Sequence, residues 1–193
     1  MSYPATFTLD APEKIARWRP LVQWVLAIPH FIILYVFGIV AQLIAVIAWF
    51  VIVFTGKLPQ GLAKVLVTYN RYNTRVFTYA GFLHDQYPPF SFPDTDEDPG
   101  DHPAAVSYQP ALEDRNRLTV GLRIIWAIPA FLYMFVIAIV GVVCWFLAFF
   151  AVLFTGRWPE GLRDWVMKLM RVGLRLNAYV MLLTDEYPPF STD

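Results

Sequence analysis

The chain has 193 residues, of which 58% are apolar and only 16% charged, against roughly 45–50% and about 25% in soluble domains. Fifteen basic and fifteen acidic side chains cancel, which excludes a globally basic nucleic-acid binder. A single cysteine, Cys144, excludes a disulfide within the chain.

Residues 1–12 are mixed, with a strand-like alternation over 5–9 bracketed by Pro4 and Pro12. No apolar core with a small-residue cleavage site precedes Pro20, so no removable signal peptide is expected. Residues 13–18 read as a helical approach carrying Lys14 and Arg17, with Arg19 just beyond. Residues 21–54 form an apolar block whose only strongly polar side chains are Gln23, His30 and Gln42. It greatly exceeds the roughly 18 residues that mark a membrane span. Thr55-Gly56-Lys57-Leu58-Pro59 ends it with glycine and proline breakers.

From 60 to about 83 the period changes. Lys64, Thr68, Arg71 and Arg75 fall on one helical face, opposite Leu62, Leu66, Tyr69 and Val76. A narrow basic stripe beside a wide apolar face predicts an interfacial helix whose arginines reach lipid phosphates. Residues 92–110 are acidic and punctuated by proline, with Asp94, Asp96, Glu97, Asp98 and Asp101. They are expected to form a solvated, loosely attached linker.

The chain then repeats itself. Residues 20–91 align with 120–191 at an offset of 100 and without a gap. The second apolar block spans 124–154. Arg171 and Arg175 repeat Arg71 and Arg75. Asp185 and Tyr187-Pro188-Pro189-Phe190 repeat Asp85 and Tyr87-Pro88-Pro89-Phe90. The expected organisation is a first membrane repeat at 1–91, an acidic linker at 92–110 and a second membrane repeat at 111–193.

Each block is too long for one comfortable straight span and slightly short for two. Both flanks of each block are basic, so the positive-inside tendency keeps both on one side of the membrane. That favours a helical hairpin in each block, reversing near 37–41 and 137–141 at Gly38 and Gly141. The alternative is one long kinked span per copy, with Pro29 and Pro129 opening its deep part. The expected fold class is an all-α integral membrane protein built as a tandem repeat. Each apolar block would be followed by an amphipathic interfacial helix.

Ala27-Ile28-Pro29-His30, Phe54-Thr55-Gly56-Lys57-Leu58-Pro59-Gln60-Gly61-Leu62, Arg71-x3-Arg75 and Leu183-Thr184-Asp185-Glu186-Tyr187-Pro188-Pro189-Phe190-Ser191 occur here in one order. Together they resemble the bacterial membrane family catalogued as domain of unknown function 4389, over both copies. The resemblance implies a multi-pass protein of the bacterial cytoplasmic (inner) membrane, and the charge pattern then puts the termini and linker in the cytoplasm. It supplies no activity, ligand or catalytic residue. Asp164 at the place of Lys64, and Thr184 at the place of His84, depart from the repeat's own pattern.

There is no phosphate loop, nucleophile elbow or two-histidine metal spacing, so no catalytic, cofactor or metal site is expected. The polar residues present in both copies are Arg71, Arg75 and Asp85, with Arg171, Arg175 and Asp185. With Tyr87, Phe90, Tyr187 and Phe190 they are the candidate contacts to lipid headgroups or a partner. The aspartates are expected to cap or pair at a helix end. The Tyr-Pro-Pro-Phe segments are expected to anchor the chain at the interface, or to be offered as extended peptides to a partner groove. His30 is expected to be neutral and hydrogen-bonded, and Cys144 to act as a small apolar residue. The leading functional expectation is a non-enzymatic accessory, scaffold or lipid-interacting subunit. It would touch anionic lipids, a partner membrane protein or another copy, and no nucleic acid. The alternative is a small-solute transporter or channel component, working as an oligomer, with Gln23, His30 and Gln42 lining its route.

Overall fold

The computed structural model describes residues 3–93, 95 and 97–192, so Asp94 and Asp96 of the acidic stretch lie outside the described residues. In chain order the elements are β1 (Ala5–Leu9), α1 (Arg19–Leu26), α2 (Ile28–Thr55), α3 (Gln60–Ala80), β2 (Ala104–Tyr108), α4 (Arg117–Gly121), α5 (Arg123–Thr155) and α6 (Glu160–Val180).

Neither apolar block doubles back. Helix α2 runs unbroken through 37–41 and α5 through 137–141, which corrects the hairpin expected inside each block. One glycine in an apolar run supplies no loop, and backbone leaving the helix there would forfeit its hydrogen bonds. The glycines serve packing instead. A Cβ at Gly141 would lie 2.7 Å from Leu169 Cδ2, and one at Gly38 would lie 3.3 Å from Tyr69 Oη. The chain reverses only after each long helix. Gly56 and Gly156 close α2 and α5 with φ of 74° and 72°, a conformation that costs glycine nothing because it has no Cβ. Helices α3 and α6 then return antiparallel to the long ones. The break before each long helix differs between copies. It falls at Ala27 in the first, with Pro29 in the opening turn of α2, and at Leu122 in the second, leaving Pro129 inside α5.

Each long helix buries only one seam: His30, Leu34, Ala41, Ala48 and Ile52 on α2, and Ala130, Ile137, Gly141, Cys144, Ala148 and Val152 on α5. The near-heptad spacing keeps that seam facing one neighbour. Its small residues let the short helices approach closely. Helix α3 meets α2 through Tyr69, Tyr72 and Val76 and turns its basic stripe the other way. On that side β1 and β2 form an antiparallel ribbon, with Phe7 opposite Val106. Strand β1 packs on α6 and β2 on α3. The result is three layers: long apolar helices, shorter helices, and a ribbon. The fold is thus mostly helical rather than all-α.

A twofold axis relates the two copies. Ile15 N–H donates to Gly156 O at 2.9 Å, and Arg115 N–H to Gly56 O at 3.0 Å. Asp10 N–H donates to Pro103 O at 2.9 Å, and Gln109 N–H to Pro4 O at 2.8 Å. In the ribbon the repeat therefore runs at an offset of 99, Pro4 to Pro103 and Asp10 to Gln109. Phe7 and Val106 are each other's equivalents and sit on the axis. Trp49, late in α2, donates to Val120 O at the start of the second copy (3.0 Å). Trp145, late in α5, meets Phe82 of the first, with ring centroids 5.6 Å apart. The long helices are thus head to tail, and the axis crosses all three layers.

Candidate functional site

Arg71 and Arg75, one turn apart on α3, are each 2% exposed. Burying two guanidinium groups requires a counter-charge, and Asp98 supplies it. Its carboxylate lies 3.4 Å from Arg71 Nε and 3.0 Å from Arg75 Nη2. It also accepts from Val106 N–H at 3.0 Å and Gly100 N–H at 2.9 Å. Asp101 adds a second carboxylate 2.9 Å from Arg75. Two expectations change here. The described part of the acidic stretch is tied to the protein through Asp98 and Asp101 while residues 95, 97 and 99–101 keep exposed surface, and Arg71 and Arg75 are turned inward, away from any lipid phosphate.

Their equivalents differ. Arg171 and Arg175 are half-buried and line a cavity of about 460 Å³ together with Tyr3, Phe7, Glu186 and Ser191. Arg175 Nη1 donates to Ser191 O at 3.2 Å.

The two conserved-in-repeat aspartates do pair at helix ends, unequally. The Asp85 side chain is 62% exposed, with Arg19 Nη2 at 4.0 Å. Asp185 receives Arg115 Nη2 at 2.7 Å, Asn116 N–H at 3.1 Å and a bond from Arg123. Burial works to raise the Asp185 pKa, but the Arg115 hydrogen bond and the Arg115 and Arg123 charges outweigh it. The carboxyl is held below its ordinary value. The first copy has Ile15 and Gln23 where the second has Arg115 and Arg123. There Gln23 Nε2 donates to His84 O at 2.6 Å.

The Tyr-Pro-Pro-Phe segments fold back onto their own copies. Phe90 stacks on His30 with centroids 4.3 Å apart, Tyr87 lies 4.7 Å from the same ring, and Tyr72 Oη bonds His30 Nδ1 at 2.6 Å. In the second copy Phe190 meets Tyr133 edge-on at 5.4 Å, and Tyr187 meets Tyr179 at 5.4 Å. Each segment clasps the start of a long helix to the end of a short one, so neither is an extended peptide held out to a partner. His30 is hydrogen-bonded as expected. Gln23 and His30, two of the three polar residues a conducting route would use, are 0% exposed.

The fold brings together two histidines, each beside acidic residues, whose contact the sequence does not show. His84 and His102 meet edge to face, centroids 4.8 Å apart. His84 Nε2 bonds Thr78 Oγ1 at 3.1 Å, and Ala104 N–H donates to His102 Nδ1 at 3.1 Å. Burial, and after it the neighbouring His102, pushes His84 down to about 3. Burial and the Arg75 charge push His102 down to about 4.

The most extensive unpartnered surface is the outer side of the long helices. Both are long and apolar enough to cross a membrane, and only 17% and 28% of their most apolar windows is buried. Ile32, Tyr35, Leu43, Phe54, Ile124 and Phe154 are each at least 60% exposed. No charged residue stands between Arg19 and Lys57, or between Arg123 and Arg157.

The family model described as Domain of unknown function (DUF4389) matches residues 17–91 and 117–192. The chain belongs to this family. Each DUF4389 match covers one long helix, its returning helix and the aromatic clasp, while both ribbon strands fall outside the matches. No curated protein and no solved structure matches the chain.

Proposed function

We propose that this DUF4389 protein is a non-enzymatic membrane scaffold that lies in one leaflet, its α2–α5 layer in hydrocarbon and its ribbon in water. The observation that carries this reading is the uncharged, mostly exposed surface of α2 and α5. In water that area would be unfavourable by about 25 cal/mol per Å², and a patch so large marks a membrane or an interface. The layering supports an in-plane orientation. Were the roughly 42 Å α2 to stand across the roughly 30 Å hydrocarbon core, the ribbon over the middle of α3 and α6 would sit at mid-depth. Asp98, Asp101 and the strand edges would then face lipid, which polar backbone and carboxylates do not tolerate. The charges agree. Arg117 lies beside Gly56 and Arg17 beside Gly156, so exposed Lys57 and Arg117 mark one end of the slab and Arg17 and Arg157 the other. The backbone of Lys14 bridges that of Arg157 at that second end, so exposed cations stand at both ends of the slab and form a rim suited to anionic headgroups.

The test uses a Cys144→Ala background with single cysteines at Lys57 and Arg157, labelled in sealed inverted and right-side-out vesicles by an impermeant maleimide. An in-plane slab labels both positions from the same side. Labelling from opposite sides establishes crossing helices and overturns the proposal. Recovery of the chain in the aqueous fraction without detergent overturns membrane residence itself.

A further inference from the structure

The twofold axis makes a comparison that neither copy makes alone. In the first copy the Asp98 carboxylate is held by Arg71, Arg75 and the outward N–H of Val106. The twofold images of those three groups are Arg171, Arg175 and the N–H of Phe7. Phe7 and Val106 oppose each other directly in the antiparallel ribbon. Val106 gives its N–H to Asp98 and not to the ladder, so this is a non-hydrogen-bonded pair, and the N–H of Phe7 points out of the opposite edge. Arg171, Arg175 and Phe7 all line the same cavity of about 460 Å³. Among the described residues no ion pair engages Arg171. We propose that this cavity is a binding site for a carboxylate of an acidic, extended peptide segment from a partner, seated as Asp98 is seated in the first copy.

The chemistry favours a peptide carboxylate over a phosphate. The occupant of the equivalent site is an aspartate, and it enters along a strand edge whose backbone N–H completes its coordination. Two guanidinium groups, each offering one nitrogen, plus an edge N–H recognise a carboxylate on an extended chain. The site also faces the ribbon side of the slab, opposite the apolar layer. The inference rests on the twofold relation and does not need the membrane placement proposed above.

The probe is a fluorescent synthetic peptide with the sequence of residues 92–103 (FPDTDEDPGDHP), added to the detergent-purified full chain. Saturable binding is expected. Arg171→Gln with Arg175→Gln should weaken it about tenfold or more, as should asparagine in place of the peptide's Asp98. Arg171→Lys, which keeps the charge and loses the fork, should weaken it less. Should the double variant fail to fold, a photo-crosslinker at the peptide's Pro99 position, which leaves the Asp98 carboxylate in place, reads the same site in the wild-type chain, with adducts expected within 3–10 and 165–192. Absence of binding, binding insensitive to the arginine changes, or adducts elsewhere overturns the proposal. So does saturation of the site by inorganic phosphate or by phosphatidylglycerol vesicles while the peptide is ignored, which would assign the cavity to phosphate or to a lipid headgroup.

Discussion

Removing the charge of Asp98 would leave buried Arg71 with no carboxylate among the described residues, and Arg75 with only the half-exposed Asp101. Asp98→Asn keeps the shape and is expected to cost about 3–5 kcal/mol, the penalty of breaking a buried ion pair on one side. Asp101→Asn, at a side chain 48% exposed, should cost less than about 1 kcal/mol. Thermal unfolding in detergent ranks the two, and equal effects would mean that Asp98 is not the counter-ion. His84 and His102 give a second residue-scale prediction. Their folded pKa values, about 3 and about 4, lie below the unfolded value near 6.5. Above that value neither state is protonated and they contribute no pH dependence. As pH falls below it, the unfolded chain takes up protons that the folded chain refuses, so stability declines down to the folded values. Asp185, held below 3.8, loses its contribution only at lower pH, a separate window. Melting temperatures at pH 7.5, 5.5 and 4.5 should fall in the wild type and flatten in His84→Gln/His102→Asn.

At the scale of elements, the seam between a long helix and its returning partner is closest at Gly141, where an added Cβ would meet Leu169 Cβ at 2.8 Å as well as its Cδ2. Gly141→Ala is expected to cost about 1–3 kcal/mol through overpacking. Gly38→Ala meets only the ring tip of Tyr69, at 3.3 Å and beyond, and should cost less, a difference readable from the same unfolding curves. The long helices, the returning helices and their glycine-closed turns were legible in the sequence because apolar length, period and breakers are local properties. The position of the reversal is not legible there because flanking charge does not count crossings: cations stand at both ends of the unbroken long helices. The basic stripe is visible in the sequence as one helical face because its spacing is local. Its partner is not, since Asp98 lies 23 residues beyond Arg75 in a stretch whose composition resembles a solvated linker. The ribbon's own repeat is hidden in the sequence for a simpler reason. One extra residue between Gln109 and Glu113 moves its register from 100 to 99.

At the scale of the whole molecule, the two copies are interlocked rather than merely adjacent. Strand β1 of the first copy packs on α6 of the second, and β2 packs on α3. Arg115 of the second copy closes on Gly56 of the first, and Ile15 of the first on Gly156 of the second. Neither copy therefore owns a complete polar layer. The chain can be opened where this interlock does not depend on covalent continuity: Gly100 is exposed, has a φ of 70°, and has open space around it. Fragments 1–99 and 100–193, expressed together with a tag on one, should co-purify in detergent at one-to-one stoichiometry and melt as one species. Asp98 on the first fragment would still reach Val106 on the second. Loop closure is given up by the cut, so the melting point should fall with dilution, which a single chain would not show. Two fragments that separate, each melting as the intact chain does, would mean that the copies are autonomous and that the twofold axis describes neighbours and not one folded unit.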